Sequence, residues 1–87
     1  MNPLSSQYIS TATTTTVKSG RGTLGRIILG ETAAGAITIY DNTAASGTVI
    51  AVLKANAVEG EYDFFCRFQT GLTIVTAGAS KLTVTFE

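Results

Sequence analysis

Gly35-Ala-Ile-Thr-Ile-Tyr-Asp-Asn42, GAITIYDN, decides the fold class. Ile37 and Ile39 fall on one side of it and Thr38 and Tyr40 on the other. That alternation has the period of a half-buried strand. The stretch stops at Asp41-Asn42, runs through Thr43-Ala44-Ala45-Ser46-Gly47, and restarts as Thr48-Val49-Ile50-Ala51-Val52-Leu53. Strand, polar loop, strand predicts a hairpin with a loop of about seven residues, longer than the commonest hairpin turns.

Working outward, the same alternation recurs. Thr13–Lys18 carries four threonines and a valine, which resist helix and predict a strand. Its simplest placement is an edge strand facing water; the sharper one is an arm that pairs with a neighbouring subunit. Gln7-Tyr8-Ile9-Ser10 is a short candidate strand, and residues 1–12 are a candidate extended N-terminal arm. Thr23–Gly30 is apolar on both sides, with Arg26 among its aliphatics. A solvent-facing Arg with a packed aliphatic stem accounts for it. In Glu61–Phe68, Tyr62, Phe64, Cys66 and Phe68 share one side, expected at the heart of the core because aromatics bury the most area. Glu61, Asp63, Phe65 and Arg67 share the other. Thr70–Thr76 and Lys81–Glu87 complete the set, the last with Leu82, Val84 and Phe86 inward.

Seven to eight strands with Gly, Ala, Ser and Asn turns and no sustained helical period predict one all-β domain over 1–87. The expected architecture is a compact antiparallel β-sandwich of Greek-key or jelly-roll type. Eighty-seven residues suffice for one domain and not two. Stability by the usual per-residue figure is about 4 to 13 kcal/mol, which association with copies would raise.

Composition narrows the chemistry. Six Lys or Arg offset six Asp or Glu, and His is absent. There is no polycationic footprint, so nucleic acid is not an expected partner. No apolar run is long enough to cross a bilayer, and the N-terminus carries no signal-peptide pattern, so no membrane is expected either. One cysteine, Cys66, allows no internal disulfide and points to maturation in a reducing compartment.

Catalysis lacks its parts. Nucleophilic chemistry has no His base and no G-x-S-x-G, so an enzyme is not expected and the catalytic set is empty. Glu59, Glu61 and Asp63 are spaced by two but face solvent, where nothing perturbs them toward acid–base work. Zinc fails on ligand count, and no calcium loop is present, so no metal, cofactor or small-molecule substrate is expected. Ser19-Gly20-Arg21-Gly22 lacks the spacing of a phosphate loop and reads as a turn.

What remains is surface. Val49, Ala51 and Leu53 alternate with Ile50 and Val52, so that strand is apolar on both sides and calls for cover, from a loop of the same chain or from another subunit. Phe65 interrupts a charged face. The expected protein–protein interface is therefore Ile50, Val52 and Phe65, with Tyr8, Thr14 and Thr16 from the N-terminal strands.

Two stretches, TATTTTVKSGRGTLGRI leading into GAITIYDNTAASGTVIAVL, and the closing TGLTIVTAGASKLTVTFE, resemble small virion proteins of tailed bacteriophages over about residues 11 to 87. The resemblance implies a capsid cement (decoration) protein on the capsid surface of a virion, made in the host cytoplasm. It would be a homotrimer whose partner is the major capsid protein. A tail, fibre or head–tail joining component is the alternative it also implies. A host-glycan-binding module, using Tyr40, Tyr62 and Phe65, is a further alternative from the residues themselves.

Overall fold

The structure, a computed structural model, describes residues 5–87. Eight strands account for the secondary structure of those residues, and no helix is among them. They are β1 (Ser5–Ile9), β2 (Thr14–Ser19), β3 (Gly22–Glu31), β4 (Ile37–Asp41), β5 (Thr48–Leu53), β6 (Gly60–Phe68), β7 (Gly71–Thr76) and β8 (Lys81–Phe86). Residues 1–4 of the arm expected over 1–12 lie outside the described residues. From Ser5 the chain is already paired, as β1 on β8.

Two four-stranded sheets face each other. Sheet A has the order β1-β8-β3-β6 and sheet B the order β2-β7-β4-β5, all antiparallel. The pairs β1–β8, β2–β7, β3–β6 and β4–β5 nest inside one another, so the chain is one long hairpin rolled into a sandwich. That is the eight-stranded jelly roll. Its tip is the β4–β5 hairpin, joined by residues 42–47, and only there do consecutive strands pair. Gly47 turns that loop at φ 87°, a conformation that a side chain disfavours.

The core between the sheets is aliphatic. Leu24, Ile27 and Leu29 from β3 and Leu82 and Val84 from β8 meet Ile37 and Ile39 from β4 and Leu72 and Ile74 from β7, all fully buried. The aromatic row of β6 does not form the heart of it. Phe68 is 1% exposed, but Tyr62, Phe64 and Cys66 are only half-buried. Strand β6 is an edge strand, so nothing covers its flank, whereas the aliphatic strands β3, β8, β4 and β7 occupy the central positions.

Among the described residues every buried side-chain nitrogen and oxygen has a hydrogen-bond partner. The Thr76 hydroxyl donates to the Thr11 carbonyl at 2.6 Å and accepts from the Thr13 amide at 3.0 Å, tying the β1–β2 connection to β7. Gly35 lies against the β7–β8 turn: a Cβ there would stand 2.6 Å from the carbonyl carbon of Ala77 and 2.8 Å from Cα of Gly78. No side chain fits at that crossing.

The ladders are bulged at several places, and the bulges decide which residues face out. On β5, Ile39 opposes Ala51 but Tyr40 opposes Val49, so Ile50 is the extra residue. It turns toward the core and packs there half-buried, which corrects its expected place at an interface beside Val52. Val49 moves outward instead. On β3, the extra residue against β8 falls at Gly25-Arg26, and the Thr85 hydroxyl fills the gap. It accepts from the Arg26 amide at 2.9 Å and donates to the Arg26 carbonyl at 3.3 Å. On β6, Phe65 adopts φ 51° where two residues oppose Gly25.

Candidate functional site

Strand register assembles the outer face of sheet B residue by residue. One row runs Thr14–Val75–Thr38–Val52 across all four strands; the next runs Thr16–Thr73–Tyr40–Val49. No charged residue stands in either row. Val52 is 56% exposed and Val49 47%. Part of the second row is roofed by the β4–β5 loop: the Thr73 hydroxyl donates to the Asn42 carbonyl at 2.7 Å and the Thr16 hydroxyl to the Thr43 carbonyl at 3.2 Å. What stays open is a flat patch of Thr14, Val75, Thr38, Val52, Tyr40 and Val49.

The outer face of sheet A is built differently. Its central row is Tyr8–Thr83–Ile28–Glu61. Arg26 bridges Glu61 and Asp63 at 3.1 Å each, and Lys81 meets Glu31 at 3.4 Å. These pairs are well exposed, so each adds little stability, but they make this face hydrated and charged. Tyr8, Ile28, Gly30, Thr83 and the Glu31–Lys81 pair surround a shallow depression of about 290 Å³. Phe65, 53% exposed, projects from the β6 edge of the same sheet.

The six residues expected at an interface thus divide. Thr14, Thr16 and Val52 come together on sheet B. Tyr8 and Phe65 lie on sheet A, and Ile50 faces inward. Val49 and Val75 belong with the first group, and strict alternation could not place Val49 there because the bulge intervenes.

One carboxylate has a defined structural task. Asp41, at the end of β4, accepts the amides of Gln69 (2.9 and 3.0 Å), Thr70 (2.9 Å) and Gly71 (3.5 Å), and so clasps the β6–β7 turn. The amide of Thr70 first, then that of Gln69, holds its pKa below the ordinary 3.8, against a small opposing effect of burial. A folded-state pKa below the unfolded one stabilises the fold at pH values above the unfolded value. The benefit is lost as pH falls through the folded one. Asp41→Asn is expected to lower stability at pH 7 by about 1 kcal/mol and to flatten the fall in stability below about pH 4. Urea denaturation at pH 7 and at pH 3 checks both.

No group of His, Cys, Asp and Glu among the described residues could hold a metal. Cys66 is half-buried, with its sulfur 3.2 Å from the Phe64 carbonyl.

No family model and no curated protein matches the sequence. A solved structure does match in shape. The sandwich is similar to the Drosophila NLP core. The two chains share 18% identity at a TM-score of 0.60, over 98% of this chain and 96% of the other. That structure was described for its pentamer formation and histone binding. At this identity the likeness shows the fold alone, a compact β-sandwich.

The likeness overturns the family named from the sequence. The phage virion resemblance rested on turn-and-strand patterns such as IYDNTAASGT, and the eight-strand sandwich they encode is the fold of the NLP core. With it fall the capsid cement function, the tail or fibre alternative and the glycan-binding alternative. The placement on a virion surface falls too. The expected partners, a major capsid protein and a homotrimer, give way as a whole, because the matching core is a pentamer that binds histones.

Proposed function

We propose that this chain is a self-assembling, non-catalytic protein-binding core that works as a ring of copies, with a basic protein of the histone class as its client. The observation that carries this reading is the uncharged outer face of sheet B. The sandwich measures 30 × 29 Å across its faces, on the order of the 800 Å² that one partner contributes to a stable interface. A face free of charge loses little on desolvation, and β-branched side chains on a pleated surface pack closely against a second copy. Sheet A, with its ion pairs, stays in water.

The NLP core supports the ring and the client class. On this chain Glu31, Glu61 and Asp63 on sheet A, and Glu59 in the loop before β6, are exposed carboxylates. They are the groups a cationic partner would meet once sheet B is occupied. No activity is assigned to any residue.

Solution mass tests the assembly. Sedimentation equilibrium is expected to give about 45 kDa, five times the 9.0 kDa chain. A 9.0 kDa species at high protein concentration would end the reading. Core histones added at moderate salt are expected to co-sediment with the assembly, and weaker co-sedimentation is expected of Glu59→Gln with Glu61→Gln.

A further inference from the structure

The β2–β3 turn and the end of β6 enclose a second cleft, of about 220 Å³, lined by Arg21, Gly22, Thr23, Arg67, Phe68 and Gln69. Its polar side chains are two guanidiniums, a hydroxyl and a carboxamide, and no carboxylate lines it. In a chain with equal numbers of acids and bases this is an unusual grouping. Arg26 and Lys81 each have a carboxylate within 4.0 Å; among the described residues Arg21 and Arg67 have none. The Lys18 ammonium approaches the same place, 3.0 Å from where a Cβ on Gly22 would stand. A Cβ at Gly22 would also run into the Glu87 carbonyl oxygen and, at 2.7 Å, the Phe68 ring, so only glycine fits there.

Two acids lie close by, and neither lines the cleft. Asp41 is turned to the amides of Gln69, Thr70 and Gly71, and Glu87 is paired through its backbone with Thr23. The cleft is therefore rich in donors and lacks an acidic acceptor. Two unpaired guanidiniums lining one cleft suit the oxygens of a tetrahedral anion better than any neutral ligand.

We infer that this cleft is a binding site for a phosphoryl group, held between Arg21 and Arg67 with Thr23 and Gln69 as further donors and Lys18 as a nearby charge. The site uses no glycine-loop amides and no helix dipole. It stands on a different observation from the self-assembly reading and does not depend on it.

The test is a ¹H–¹⁵N titration of the intact protein at constant ionic strength. One arm uses inorganic phosphate, a second a phosphoserine peptide, and a third sodium chloride. Saturable shifts centred on the amides of Gly22, Thr23, Phe68 and Gln69 are expected with phosphate or the phosphopeptide and not with chloride. If only the peptide saturates, the phosphoryl group is protein-borne; if inorganic phosphate saturates as well, the free anion suffices. Arg21→Gln and Arg67→Gln are each expected to raise the apparent Kd about tenfold. Lys54→Gln, which removes a cation elsewhere, leaves it unchanged. Shifts that stay linear, that chloride reproduces, or that Lys54→Gln weakens equally would overturn the site. Both arginines are exposed, so a thermal melt confirms that the variants are folded.

Discussion

Val49→Asp combined with Val52→Asp is expected to leave the protein folded and monomeric. Both valines point away from the core in neighbouring rows of sheet B, so the fold tolerates a charge at either place. An interface formed there does not. Each carboxylate would be desolvated against threonine, valine and tyrosine with no cation in either row to meet it. An uncompensated buried charge costs about 3 to 5 kcal/mol, which corresponds to a loss of association of more than a hundredfold. Sedimentation equilibrium reads the mass and far-ultraviolet circular dichroism reads the fold. Ala79→Asp, on the exposed β7–β8 turn, is the matched control and keeps the assembled mass. An assembled double variant would move the copy–copy contact to another surface.

Ile39→Ala is expected to have the largest effect on stability. Ile39 is fully buried at the centre of sheet B, between Ala51 on β5 and Ile74 on β7. Losing three carbons there forfeits burial and leaves a cavity that a closely packed sandwich cannot collapse around. The usual cost is about 2 to 5 kcal/mol, against a total of about 4 to 13 kcal/mol for a chain of this length. Urea unfolding in the Val49→Asp, Val52→Asp background separates this cost from the stability that assembly contributes. Ile28→Ala, on the outer face of sheet A, is the comparison and is expected to cost below about 1 kcal/mol. A loss of similar size at both positions would contradict the two-faced reading of these strands.

Most of the strands were legible in the residues, because burial on one side writes a period of two. Thr83 and Thr85 face out and Leu82 and Val84 face in, as their alternation predicts. The hairpin around Ile39 and Tyr40 forms in place, and the threonine-rich segment is the edge strand β2. Alternation stops being informative where one residue is inserted. Ile50 reads as outward by counting from Leu53, yet the bulge opposite Ile39-Tyr40 exchanges its side with that of Val49. Strand order was hidden as well. The aromatics of β6 mark it as a core strand by composition, and only its position at the edge explains why Tyr62 and Phe64 stay half-covered. The family resemblance failed for a related reason: turn-and-strand patterns report a sandwich, and a sandwich serves many purposes.

The uncharged face could not be counted from the sequence, since it draws two residues from each of four strands far apart in the chain. The donor-lined cleft is similar: Arg21 and Arg67 are brought together by the pairing of Gly22 with Phe68.

The nested order of strand pairs also constrains the route by which the chain reaches this shape. Outside the β4–β5 tip, every ladder joins segments remote in sequence, with residue 5 opposite residue 86 at the outermost one. Contacts of such long range must be closed against chain entropy before they reward it, which places folding in the millisecond-to-second regime of non-local β topologies. While the outer ladders wait to close, the aliphatic inner faces of both sheets are bare, and crowding of nascent copies at that stage favours tangled association over orderly assembly.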